Sequence, residues 1–181
     1  MNSPSKSSSA LGLTLLGGLL RLIPHPPNFA PVGAMSLFSG ANLPGWQAYL
    51  VPLMLMLITD PLVNSTGGCC TIGNFNPFSR GTFFIYGSFM ISVWIGRQLR
   101  GTHSVTKIGA ASVLCAVQFF FISNFPVWLF MDLFPHTFAG LMACYVAALP
   151  FFGNTLISNL FYSAFFFGAH FWLTRRQLVR A

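Results

Sequence analysis

From Ile108 to Phe130, and again from Thr137 to Ala169, the chain runs without one Asp, Glu, Lys, Arg or His. Such runs cannot form a water-facing surface. A soluble domain carries roughly a quarter charged residues, whereas this chain carries 6% against 54% hydrophobic residues. In hydrocarbon every backbone N–H and C=O must be paired within the protein, which leaves helices or closed barrels. Apolar runs that continue rather than alternate select helices. The expected fold class is therefore an all-α integral membrane protein. At about 20 residues per crossing, 181 residues accommodate a compact bundle of about six transmembrane helices and no separate soluble domain.

Breakers divide the runs. Residues 1–9 read as a disordered polar tail, 10–174 as one transmembrane domain and 175–181 as a basic cytoplasmic tail. Helices are expected over Ala10–Ile23, Val32–Ala41, Trp46–Val63, Thr82–Leu99 and Ile108–Phe130, the last kinked at Pro126. A final helix runs to Thr174 after a break at Gly153-Asn154. Between the first two helices stand Pro24, Pro26, Pro27 and Pro31, a stiff joint in the stretch RLIPHPPNFAPVGAMSLFSGA. The first run lacks a small-x-small cleavage site and reads as a membrane helix.

Nine Lys and Arg against two acids give a net charge of +7. They lie at the ends of apolar runs, which points to membrane topology and not to nucleic acid. With six spans and cytoplasmic termini, the basic connector Arg97–Lys107 and the Arg-rich tail fall inside. That count requires the segment 137–152 not to cross, so it reads as a short interfacial or half-inserted helix before the last span, or as an early part of that last helix. Cys115 and Cys144 read as small core residues. Cys69-Cys70 is a vicinal pair in a loop, and Asn64-Ser65-Thr66 is a glycosylation sequon of relevance only in a secretory pathway.

Polar groups inside spans are costly and raise a functional question. Under this topology they gather at the outer end: His25, Asn28 and Phe29 in the proline joint, Asp60 before Pro61, Tyr86, Asn124 and Trp128, and Asn154, Asn159 and Tyr162. Amides offer donors and acceptors, and rings offer stacking faces. Such an outward-facing site suits a mostly neutral, flat or amide-bearing small molecule. Structural roles compete at several positions: Asn124 as a helix cap, Asp60 as an interfacial residue paired with Arg21 or Arg80, and Trp172 as a belt residue. Ala30, Gly33 and Ala34 form a smooth strip that fits either internal packing or docking of a partner. No catalytic, P-loop or metal-binding motif is present, so neither a cofactor nor a metal is expected.

The strings RLIPHPPNFAPVGAMSLFSGA, ITDP (58–61), FIYGSF (84–89), FFFISNFPVW (119–128) and the segment 136–168 resemble a family of uncharacterised small bacterial membrane proteins. That family is similar to the substrate-binding S components of energy-coupling factor (ECF) vitamin importers. The resemblance implies a six-helix bundle in the bacterial inner membrane, binding a vitamin-like solute near the outer face. It also implies docking, through Ala30 and Ala34, on a membrane coupling subunit with two ATPases, which would carry any ATP hydrolysis. The expected function is thus a non-enzymatic solute-binding subunit. An intramembrane enzyme and a non-catalytic assembly or anchoring protein are the alternatives.

Overall fold

The computed structural model describes residues 4–65 and 80–179. The Cys69-Cys70 pair, Thr66 of the sequon and Arg180 lie outside the described residues. The described residues form six helices and no strand: α1 (Pro4–Leu20), α2 (Val32–Asn42), α3 (Gln47–Ser65), α4 (Arg80–Arg97), α5 (Val105–Phe130) and α6 (Phe138–Val179).

Helix α2 touches all five other helices. These close a ring around it in the order α1, α3, α4, α5, α6 and back to α1. An axial position demands small or fully packed side chains on every face. The sequence of α2 supplies them: from Ala34 to Ala41 every residue is buried. Two glycines allow the closest approach. A Cβ on Gly40 would lie 2.1 Å from the Val93 carbonyl oxygen, and one on Gly96 would lie 2.1 Å from the Leu37 carbonyl oxygen. The backbones of α2 and α4 are therefore in direct contact, where dispersion is strongest per residue and no side chain intervenes.

The axial helix is short. Its eleven residues span about 16 Å, roughly half of a bilayer's hydrocarbon core. Its C-terminus is level with that of α4, where cations meet the carbonyls that follow it. Arg100 donates to the Leu43 carbonyl at 2.5 Å and Arg97 to the Gly45 carbonyl at 2.8 Å. Below the middle of α4, Gln118 joins α5 to it by donating to Ser92 Oγ at 2.9 Å and to the Ser88 carbonyl at 3.1 Å. Ser9 Oγ lies 3.3 Å from His170 Nδ1, so the start of α1 and the end of α6 share this same end of the bundle.

Several expectations are corrected. Helix α1 begins at Pro4, within the segment read as a tail, because proline fits the first helical turn. Helix α5 begins at Val105, where Ser104 caps the Lys107 N–H. There is no break at Gly153-Asn154, and from Phe138 the segment is the early part of the last helix, one of its two expected readings, and not a separate interfacial helix. Thr137 Oγ1 accepts from the Gly140 N–H at 3.2 Å, and α6 then continues for 42 residues with Pro150 inside it. A break would strand backbone groups that hydrocarbon cannot solvate. The same helix runs on through Arg175 to Val179, so the segment read as a tail is helical to that point.

Two helices, Val105–Phe130 and Phe138–Arg175, are long and apolar enough to cross a membrane, fewer than the six spans expected. Helices α1 and α3 are apolar but shorter over their apolar parts, and α2 is too short to span. Large apolar side chains project outward from the ring: Phe83 is 69% exposed, Ile58 63% and Val146 63%.

The α2–α4 contact makes a prediction. Gly40→Ala and Gly96→Ala should each destabilise the bundle by about 1–3 kcal/mol through overpacking. Gly109→Ala, where an added Cβ meets nothing within 4 Å, should be neutral or stabilising by up to about 1 kcal/mol. Thermal unfolding in detergent compares the three.

Candidate functional site

Among the described residues the axis of the ring holds no helix beyond Val32. The segment from Arg21 to Pro31 crosses there, and we call it the strap. Its four prolines exclude a helix, and Asn28 takes a left-handed φ of 60° to turn the chain, a conformation that Asn tolerates. The strap is tied at both ends by polar side chains of the ring.

At its start, Arg21 forms an ion pair with Asp60 Oδ1 and donates to Thr59 Oγ1 at 3.0 Å. Tyr86 Oη donates to Asp60 Oδ2 at 2.5 Å. Asp60 is 3% exposed, so its charge is tolerable only because Arg21 neutralises it and Tyr86 bonds it. Arg21 is thus the partner of Asp60. Arg80 instead lies over the Phe130 ring at 5.9 Å. This one cluster joins the end of α1 to α3 and α4.

At its other end the strap is held by α6. Asn154 donates to the Pro27 carbonyl at 3.0 Å, and Ser158 donates to the Ala30 carbonyl at 2.8 Å. The two side chains are four residues apart and share one helix face. Phe29 seats its ring against Tyr162 at 5.8 Å and Phe161 at 6.3 Å. His25 Nδ1 stays within the strap, 3.1 Å from the Pro26 carbonyl. Asn159 is buried against α2: a Cβ on Gly33 would come within 2.3 Å of its Oδ1.

The ten expected solute-binding residues therefore fall into three sets. His25, Asn28, Phe29, Asn154, Asn159 and Tyr162 belong to the strap and its seat on α6. Asp60 and Tyr86 form the anchor at the other side of the strap. Tyr86 and Tyr162 pack from different helices against the same buried core, which includes Met35, Phe38 and Phe89. Asn124 and Trp128 are elsewhere. Asn124 donates to the Phe120 carbonyl of its own helix at 2.8 Å. Trp128 Nε1 donates to the Pro135 carbonyl at 3.0 Å and its ring meets His136. Thr59 and Phe161 were not among the expected residues. Thr59 had a signal in its place beside Asp60, and Phe161 had none beyond its place beside Tyr162.

The small-residue strip lies against the bundle's own helices. Ala34 is 1% exposed, Gly33 lies under Asn159 and the Ala30 carbonyl is held by Ser158. Ala30 and Gly33 are half-buried. A shallow groove of about 320 Å³ between α4 and α5 is lined by Phe83, Phe84, Gly87, Ile91 and Ile122. It is apolar and contains none of the ten residues. Among the described residues no three His, Cys, Asp or Glu side chains come together.

With this geometry in hand, one comparison places the chain. It belongs to the DUF6580 family, a family of unknown function. The match runs over residues 2–180. No curated protein and no solved structure matches the chain.

Removing Arg21 tests the anchor. Arg21→Ala leaves a buried, unpaired carboxylate and should cost about 3–5 kcal/mol. The double variant Arg21→Met with Asp60→Leu removes both charges and should recover most of that loss. A double-mutant cycle on unfolding in detergent measures it, and additive losses would refute the pairing.

Proposed function

We propose that this protein is a membrane-embedded solute-binding subunit, with the strap as the cover of its site. The observation that carries the reading is the half-length axial helix. Below Val32 the ring is filled by α2, and beyond it, among the described residues, the strap closes the ring. Rings and amides collect under and beside that cover: Phe29, Tyr162, Phe161 and Asn154. The charges there neutralise one another through Arg21 and Asp60. Such a site favours a neutral solute with an aromatic face and hydrogen-bonding groups over an ion.

In this reading all six helices sit in the bilayer, with α5 and α6 as the long spans. Both termini lie at the basic, cytoplasmic end of a bacterial inner membrane, and the strap faces outward. Release of the Asn154–Pro27 hydrogen bond and of Phe29 from its two rings would swing the strap while Arg21 keeps its base in place. Membership of an ECF-type importer rests on the resemblance of the sequence strings. The coupling subunit and its ATPases would dock on an outward face of the ring, not on Ala30 and Ala34.

Small molecules retained by protein purified in mild detergent, identified by mass spectrometry, test this directly. The wild type should retain one heteroaromatic or amide-bearing compound. Loss of one ring contact is worth about 0.5–1.5 kcal/mol beyond area burial. Tyr162→Ala should therefore bind that compound roughly tenfold more weakly, and Asn154→Ala should release it faster, with folding intact. An empty wild type, or equal retention in all three proteins, would overturn the proposal.

A further inference from the structure

The chain's only two acidic side chains, Asp60 and Asp132, lie away from its basic end. Asp60 is at the strap. Asp132 follows the C-terminus of α5, whereas Lys107 is in that helix's first turn, about 36 Å away along the axis. The basic end gathers Arg97, Arg100, His103, Lys107 and Arg175 with no carboxylate side chain to balance them. Arg97 and Arg100 are engaged by the Gly45 and Leu43 carbonyls just past α2. The other three present their basic groups at the surface.

Their arrangement is specific. His103, in the turn between α4 and α5, tilts against Phe171 of α6 with centroids 5.9 Å apart. Arg175 lies over the same Phe171 ring at 4.7 Å. One aromatic side chain thus holds two basic groups from different elements. Lys107 is exposed one turn beyond His103. Phe171 is itself 43% exposed and its neighbour Trp172 53%. On the same face of α6, Gly168 and Ala164 are exposed one after the other.

We propose that His103, Lys107 and Arg175 hold the phosphate of an anionic phospholipid, whose acyl chains run along the exposed apolar face of α6. Lys107 and Arg175 supply the charge that the phosphate needs, and the His103 ring supplies an N–H donor. Phe171 and Trp172 stand where rings meet headgroups in a bilayer. An acidic protein would match the charges but not the apolar face that continues from them, and this decides for lipid. The site is separate from the solute site at the strap and does not depend on it.

The test titrates the purified full chain in detergent with phosphatidylglycerol, phosphatidylcholine, inorganic phosphate and polyglutamate. Native mass spectrometry counts bound lipid, and unfolding temperature reports stabilisation. Phosphatidylglycerol should be retained and stabilising, and phosphatidylcholine should not. Each basic group near an anionic headgroup contributes roughly a fivefold change in affinity. The variant Lys107→Gln with Arg175→Gln should therefore bind phosphatidylglycerol about thirtyfold more weakly. Arg80→Gln, at the opposite end, should bind it as the wild type does. Equal binding of the two lipids by the wild type would overturn the proposal, and needs no variant to fold. Undiminished phosphatidylglycerol binding by the double variant would also overturn it. So would full stabilisation by inorganic phosphate or polyglutamate alone.

Discussion

Contact between the backbones of α2 and α4 is the constraint on which the rest of the bundle depends. Gly40 and Gly96 each face a carbonyl of the other helix at a distance that no Cβ could occupy. That contact draws an eleven-residue helix onto the axis of a five-helix ring. Once α2 is there, the carbonyls at and just past its C-terminus need partners in the middle of the basic end. Arg97, which ends α4, and Arg100 just beyond it supply them at Gly40, Leu43 and Gly45. The glycines and the arginines act on one helix pair, so packing and electrostatics fix the same register.

The length of α2 sets what the other end can be. A full-length axial helix would fill the ring and leave no room for a site. A half-length one requires the chain to close the ring by other means, and the proline strap does so. Its ties are unequal. The Arg21–Asp60–Tyr86 cluster is buried and charged, and breaking it leaves an unpaired ion. The ties to α6 are neutral hydrogen bonds, net about 1 kcal/mol each, together with ring contacts. A cover with one firm edge and one weak edge opens in one direction, which is the behaviour that the capture reading asks of it.

Much of this was legible in the sequence, and the misses have physical reasons. The charge-free runs give an all-helical chain, and the C-terminal limit of α5 falls at Phe130 as the sequence suggests. The strap could be read from its prolines, and Asp60 with Arg21 as one of two possible partners. The axial place of α2 could not. Small residues permit close approach without saying to what, and so Ala30, Gly33 and Ala34 fit docking as well as packing. A break at Gly153-Asn154 is expected from the sequence because Gly and Asn end helices in water. In this chain the Asn154 side chain bonds to the strap instead of its own backbone. Asn124 and Trp128 lie at the same end of the bundle as the strap, but position along a helix does not say which neighbour a side chain meets. The links of Asn154 and Ser158 to the strap join residues more than a hundred positions apart, beyond any local pattern.

The central claim is that the strap and the basic connector are the two ends of one bundle spanning a bilayer. Single cysteines placed at Asn28 and at Thr106, in a chain otherwise free of cysteine, test it with a membrane-impermeant thiol reagent on intact bacterial cells. The account predicts that Asn28→Cys reacts from outside and Thr106→Cys reacts only after the membrane is opened. Labelling of both from the same side would contradict it.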